Sequence, residues 1–251
     1  MLLSGLRVGC SRFVFLGRLS GLRSDSFHGF LITMSRSKGY NPQDRFFHKA
    51  KEENFAARSV YKLQEIDQRF KIFKPGAMVL DLGCSPGSWS QYASQKIGEK
   101  GRVLGVDLKA VTVSLPNATF IEADLRDLKL EDVFIANGFA PPFDLVISDM
   151  APNTTGIKST DQARSFELCE LSVDIAERFL KPGGHFVTKF FHSNDFENLR
   201  KQIQGRYKKI EIVKPDATRS ISKEIFFVGL TKLSTPTPPK APSKTTPKAT
   251  T

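Results

Sequence analysis

Three ionisable side chains occur where an apolar strand would not carry them without a reason. Asp149 closes the run Phe143-Asp-Leu-Val-Ile-Ser-Asp149, Lys189 lies inside Gly184-His-Phe-Val-Thr-Lys-Phe-Phe191, and Glu224 opens Glu224-Ile-Phe-Phe-Val228. Burying a lone ammonium or carboxylate is expensive, so each needs an opposite charge or a task. Ion pairing would explain any one of them. Several converging on one sheet edge point to catalysis. A second kind of chemistry belongs to residues 78–90, where an apolar run enters Asp81 and Gly83 and Gly87 bracket a short loop before a helical pattern. Strand, glycine turn and helix together bring backbone N–H groups beside a ligand.

The loop lacks the G-x-G-x-x-G spacing of a dinucleotide site and the G-x-x-x-x-G-K-[ST] of a P-loop. Pro86-Gly87 stiffens the turn, and Trp89 offers a flat apolar surface. A mononucleoside ligand without a pyrophosphate fits, and S-adenosylmethionine is the obvious candidate. Asp107, ending Arg102-Val-Leu-Gly-Val-Asp107, suits the hydroxyls of a ribose. Asp124, at the tip of the next strand, can accept from an adenine amino group or cap a helix over 125–135. Asp149 stands at the same edge. The Asp-Pro-Pro-Tyr and Asn-Pro-Pro-Tyr patterns of base-nitrogen methylation are absent, which disfavours an amino-group acceptor.

The elements that must position these groups follow from hydrophobic periodicity. Strands are expected at 78–82, 102–107, 118–122, 143–148, 184–190, 209–213 and 224–230, and helices at 55–70, 88–97, 125–135, 161–180 and 194–204. Alternating βαβ units of this length imply an α/β fold. The sheet is doubly wound, seven-stranded and mostly parallel, with an antiparallel hairpin at one edge. Domain organisation is read as an N-terminal extension (1–33), a basic aromatic arm (34–54), the main domain (55–233) and a Pro/Thr/Lys tail (234–251) too polar to fold.

The net charge of +11 is unevenly placed. Residues 1–33 carry +3, 34–74 carry +5, 75–233 are neutral, and the tail adds three lysines. Positive segments flanking a neutral core fit a polyanionic partner. In the arm, Arg45, Lys49 and Lys51 alternate with Tyr40, Phe46, Phe47 and His48, a mixture that holds phosphates and stacks bases, or packs on the domain. No apolar stretch is long enough to span a membrane. Three scattered cysteines argue against a disulfide framework or a structural zinc, and no metal is expected. The Arg- and Ser-rich residues 1–33 resemble a transit peptide, unless Met34 is the true start. The cytoplasm is the expected location, with the mitochondrion the alternative.

From about Ser37 to Leu230 the chain resembles the FtsJ/RrmJ family of ribosomal RNA 2′-O-ribose methyltransferases. The resemblance is carried by Ala57-Arg-Ser-Val-Tyr-Lys-Leu63, Asp81-Leu-Gly-Cys-Ser-Pro-Gly-Ser-Trp-Ser-Gln91, Ser148-Asp-Met-Ala-Pro-Asn153, Val187-Thr-Lys-Phe190 and Lys214-Pro-Asp-Ala-Thr-Arg-Ser220 leading to Glu224. It implies a K-D-K-E catalytic tetrad at Lys62, Asp149, Lys189 and Glu224. It also implies S-adenosylmethionine contacts at Gly87, Trp89, Asp107, Asp124 and Asp149. Cys84-Ser85 and Ser88 stand where Ala and Gly are frequent in the family; neither departure touches the tetrad. The implied acceptor is a uridine ribose of large-subunit ribosomal RNA, presented by the subunit or its precursor to a monomeric, membrane-free enzyme. Its phosphates would be gripped by the arm, the 55–70 helix and the cluster Arg206, Lys208, Lys209, Lys214, Arg219 and Lys223. Transfer RNA or another ribosomal RNA site is the alternative within the class. Outside it stand a nicotinamide-dependent oxidoreductase, disfavoured by the missing G-x-G-x-x-G, and a non-catalytic RNA-binding assembly factor, disfavoured by the intact tetrad.

Overall fold

The computed structural model describes residues 44–126, 129–191, 196–219 and 222–235, all within one compact unit spanning residues 40–251. The expectations for the 1–33 extension, the first part of the arm and most of the 234–251 tail lie outside the described residues.

In chain order the elements are α1 (Arg45–Glu52), α2 (Val60–Phe70), β1 (Met78–Leu82), α3 (Ser88–Ile97), β2 (Arg102–Asp107), β3 (Ala118–Glu122), α4 (Leu130–Ala136), β4 (Phe143–Ser148), α5 (Lys158–Phe179), β5 (Leu180–Phe191), α6 (Phe196–Ile203), β6 (Tyr207–Val213) and β7 (Glu224–Lys232). The seven strands form one sheet in the order β3-β2-β1-β4-β5-β7-β6. Strands β1 to β5 pair in parallel, and β7 inserts antiparallel between β5 and β6. The expected α/β fold, with its antiparallel edge hairpin, is the one observed.

Successive strand residues point to opposite faces, and the apolar positions divide accordingly. Leu80, Leu82, Leu104, Val106 and Val146 pack with α4, α5 and α6. Val79, Val103, Leu145, Ile147 and Val187 pack with α2 and α3. Both faces are therefore covered, which is why these strands read as continuous apolar runs.

Strand β5 begins at Leu180 rather than 184 and α5 at Lys158 rather than 161, and α1, α2 and α4 differ from expectation for local reasons. The arm contains a helix: Asp44 caps α1 by accepting from the backbone N–H groups of Phe46 and Phe47 at 3.1 and 3.2 Å. Its aromatics divide, with Phe46 packed on Tyr61 at 5.4 Å and Phe47 exposed. Helix α2 starts at Val60 rather than at 55, because the chain leaving α1 passes through Asn54 in the left-handed region (φ 59°) and a turn intervenes. Helix α4 starts at Leu130 rather than 125, since Asp124 Oδ1 accepts from Arg126 N at 2.9 Å and closes a turn of its own.

Candidate active site

The crevice beyond the carboxyl ends of the parallel strands, where the connection order reverses, falls here between β1 and β4. The loop after β1 and Asp149 after β4 border it directly, because Leu82 and Ser148 are register partners. Asp107 ends the neighbouring β2, and Asp124 follows β3.

Gly87 initiates α3 with φ 111°, and a Cβ built on it would lie 2.3 Å from Val113 Cγ2. Only glycine gives this turn both its backbone angle and its room. Gly87 has no side chain with which to cap α3, and the free N–H groups that begin a helix are its anion-seeking end. Asp107 already accepts from Ser85 N (2.9 Å) and Lys109 N (2.8 Å), which fixes its carboxylate while each oxygen keeps a lone pair for a hydroxyl. Asp124 is exposed at the strand tip, also 3.5 Å from Arg126 Nη1.

Trp89 requires a correction. Its ring is only 2% exposed, packs 5.8 Å from Phe226, and donates from Nε1 to Ser59 O at 2.9 Å. The indole is a core residue that ties α3 to the start of α2, not a flat surface for a ligand.

Asp81 has a part that the sequence reading left unassigned. It lies mid-sheet at 1% exposure, with Oδ2 accepting from Ser90 Oγ at 2.6 Å and Oδ1 without a hydrogen-bond partner. Burial pushes its carboxyl up to about 7, and the neighbouring charges of Asp149 and Asp107 push the same way against the Ser90 hydrogen bond. The signal in the sequence was an acid inside an apolar strand, directly before the glycine turn. An orphaned buried acid, an uncapped helix start and two carboxylates at strand tips fit a nucleoside ligand that also carries a positive charge.

The four ionisable groups come together as two ion pairs. Lys189 is 7% exposed, and its Nζ lies 3.0 Å from Asp149 Oδ1 while donating to Asp149 O at 2.6 Å. Lys62 Nζ, over the Phe226 ring, lies 2.7 Å from Glu224 Oε1. Burial pushes the Asp149 carboxyl up, but the positive charges of Lys189 and Lys62 outweigh it and hold the group below the ordinary carboxylate range. Positioning is a matter of topology: Lys189 comes from β5, Asp149 from the end of β4, Glu224 from the first residue of β7, and Lys62 from the first turn of α2. Asp44 braces this edge, since its carboxylate meets both Arg58 and Arg219, and Arg58 also donates to Ala217 O.

The basic cluster does not stay together. Tyr207 pairs with Lys232 at the far end of β7, so Arg206, Lys208 and Lys209 lie toward the edge of the sheet opposite the crevice. Arg206 and Lys209 are also paired with Glu177 and Glu211. Lys214, Arg219 and Lys223 remain at the crevice end.

The profile described as FtsJ-like methyltransferase matches residues 55–232. The chain belongs to that family. It is 70% identical over 193 residues to the ribosomal RNA large subunit methyltransferase E of Bdellovibrio bacteriovorus, covering 77% of this chain and 98% of that protein. It is 46% identical to the protein of the same name from Syntrophobacter fumaroxidans, over 76% and 96% of the two chains. A crystal structure described as a ribosomal RNA methyltransferase of Plasmodium falciparum superposes with a TM-score of 0.61 at 27% identity, covering 71% of this chain and 99% of the other. This FtsJ-like methyltransferase therefore combines a glycine-turn crevice with two ion pairs at its mouth.

Proposed function

We propose that this methyltransferase modifies a ribose 2′-hydroxyl of large-subunit ribosomal RNA, a uridine within the subunit or its precursor, using S-adenosylmethionine. The observation that carries the reading is the convergence of Lys189–Asp149 and Lys62–Glu224 on the crevice that Gly87 opens. The names of the relatives at 70% and 46% identity support the choice of RNA.

When bound, S-adenosylmethionine supplies a methyl group on a positively charged sulfur. The first turn of α3, with Gly87 and the Trp89 N–H, would hold its carboxylate. Asp107 would hold the ribose, Asp124 the adenine amino group, and Asp81 and Asp149 would balance its positive charge. An ammonium has three donors. Lys189 donates one to the Asp149 carbonyl and faces the Asp149 carboxylate at 3.0 Å, which leaves a donor for a ribose 2′-oxygen. In this reading the Lys189 ammonium orients the 2′-oxygen and steers its proton out to solvent as the methyl leaves the sulfonium, and Asp149 holds Lys189 at one angle. Lys62 and Glu224 wall the other side of the acceptor. Fixing the reacting oxygen at near-attack distance supplies much of the acceleration. Basic residues at the crevice end, Lys214, Arg219 and Lys223 with the α1 arm, grip phosphates without reading bases.

Large ribosomal subunits from cells lacking the gene, incubated with the purified protein and methyl-labelled S-adenosylmethionine, test this directly. Label in an alkali-resistant dinucleotide of the large-subunit RNA is the expected result. Label on a base, or none, contradicts it. Binding to the subunit should weaken steeply between low and moderate salt.

A further inference from the structure

The chain has one tryptophan, and both parts of its indole are spent on the surroundings of Lys62. The Nε1–H donates to Ser59 O at 2.9 Å. The same carbonyl accepts the backbone N–H of Lys62 at 3.1 Å, in the turn that opens α2. A carbonyl oxygen has two lone pairs and can serve both donors. The turn that carries Lys62 is thereby tied to the second residue of α3. A hydroxyl contact repeats the tie, with Ser59 Oγ 3.0 Å from Ser88 Oγ. The indole ring packs on Phe226 at 5.8 Å between centroids, tilted by 34°, an attractive aromatic arrangement. Over that same Phe226 ring lies the Lys62 ammonium, 5.8 Å from its centroid, within reach of a cation–π contact.

Phe226 is itself placed by the sheet. It is the register partner of Lys189 across the β5–β7 ladder, and two residues on from Glu224 it lies on the same side of β7 as that carboxylate. We propose that the Trp89 indole is a positioning residue for Lys62. Its N–H pins the Lys62 turn through the Ser59 carbonyl, and its ring fixes Phe226, the floor on which the ammonium meets Glu224 Oε1 at 2.7 Å. The indole touches no reacting group in this arrangement; it acts through Ser59 and Phe226. Burial alone would not ask for tryptophan here, since leucine or phenylalanine fills apolar space and brings no donor. Without the N–H, Ser59 O keeps only the Lys62 amide, and the turn is free to shift along α3. The seat of the cofactor helix and the aim of the Lys62 ammonium are therefore set by one side chain.

The inference rests on the proposed function, and the experiment separates the two. Full-length wild type, Trp89→Phe and Trp89→benzothienylalanine are compared in single turnover on unmodified large ribosomal subunits, with S-adenosylmethionine affinity measured by calorimetry. The last variant keeps the fused rings and replaces the N–H by sulfur, so it carries the test if phenylalanine fails to fold. A misplacement of about 1 Å away from the chemistry can cost on the order of a hundredfold. Both variants should slow transfer about tenfold or more, with cofactor affinity within a few-fold, because the cofactor contact proposed at this residue is its backbone N–H. The NMR signal of the Lys62 ammonium, assigned by its absence in Lys62→Met, reads the seat without RNA. Pairing with Glu224 slows its hydrogen exchange, so it should be visible in wild type and should broaden or vanish in both variants. A rate in the sulfur variant close to wild type, an affinity that falls in parallel with the rate, or an ammonium signal missing from wild type or unmoved in the sulfur variant would overturn the proposal. If wild type transfers no methyl to the subunits, the substrate reading has failed, and the ammonium signal alone decides the positioning role.

Discussion

Lys62 Nζ and Glu224 Oε1 meet at 2.7 Å, one from the helix that precedes the sheet and the other from its last strand. Both side chains are largely buried, so removing either charge strands the other in a low-dielectric site. Lys62→Ala or Glu224→Ala should each cost about 3 kcal/mol in urea denaturation. The double variant Lys62→Met/Glu224→Leu should recover most of that loss, since packing replaces the pair. Methyl transfer should be lost in all three. Activity retained by the double variant would reduce the pair to a structural contact.

Gly87 tests the cofactor crevice separately from the tetrad. Gly87→Ala forces a side chain into φ 111° and against Val113. The strain is about 1–3 kcal/mol, borne by a loop outside both core clusters. Calorimetry should show cofactor affinity falling at least tenfold, while the melting transition stays cooperative. Unchanged affinity would place the ligand elsewhere.

Asp81 gives the protein a pH signature. Its folded-state carboxyl, raised to about 7 from 3.8, keeps a proton that the unfolded chain has lost between those values. The folded state therefore binds more protons in that window, and this group's contribution to stability falls as pH rises from about 4 to about 7. Asp81→Asn should remove that slope, measured by urea titration across the window. A positively charged ligand docking at the same edge favours the ionised form, so S-adenosylmethionine binding near pH 6 should release a proton. Calorimetry in buffers of different ionisation enthalpy reads this out. Proton uptake on binding, or a slope unaltered in Asp81→Asn, would contradict the assignment.

The sheet was legible because its signal is local. Val79, Leu80 and Leu82, or Leu145, Val146 and Ile147, are apolar on both faces, and a doubly covered parallel strand is the structure that asks for that. The placement of Asp149, Lys189 and Glu224 at one edge followed, since strand ends set it. What the sequence concealed depends on contacts between distant segments. Trp89 looked available beside a glycine turn, but Ser59 O and Phe226 claim it from elements far along the chain. Arg206, Lys208 and Lys209 read as one patch with Lys214, yet β6 carries them toward the opposite sheet edge. The helix within the arm was masked by its charge, because only Phe46 and Ala50 turn inward. Asp81 was visible all along as an acid in an apolar strand; its missing partner became apparent only with the fold.

The decisive quantity is the single-turnover rate of Lys189→Ala on large ribosomal subunits, set beside its S-adenosylmethionine affinity. With Lys189 holding the acceptor hydroxyl, transfer should fall by at least a thousandfold, on the scale of a lost positioned proton-transfer group, and affinity should stay within a few-fold. Turnover that survives at a tenth of the wild-type rate or more would remove Lys189 from the chemistry and leave the two ion pairs without a catalytic role.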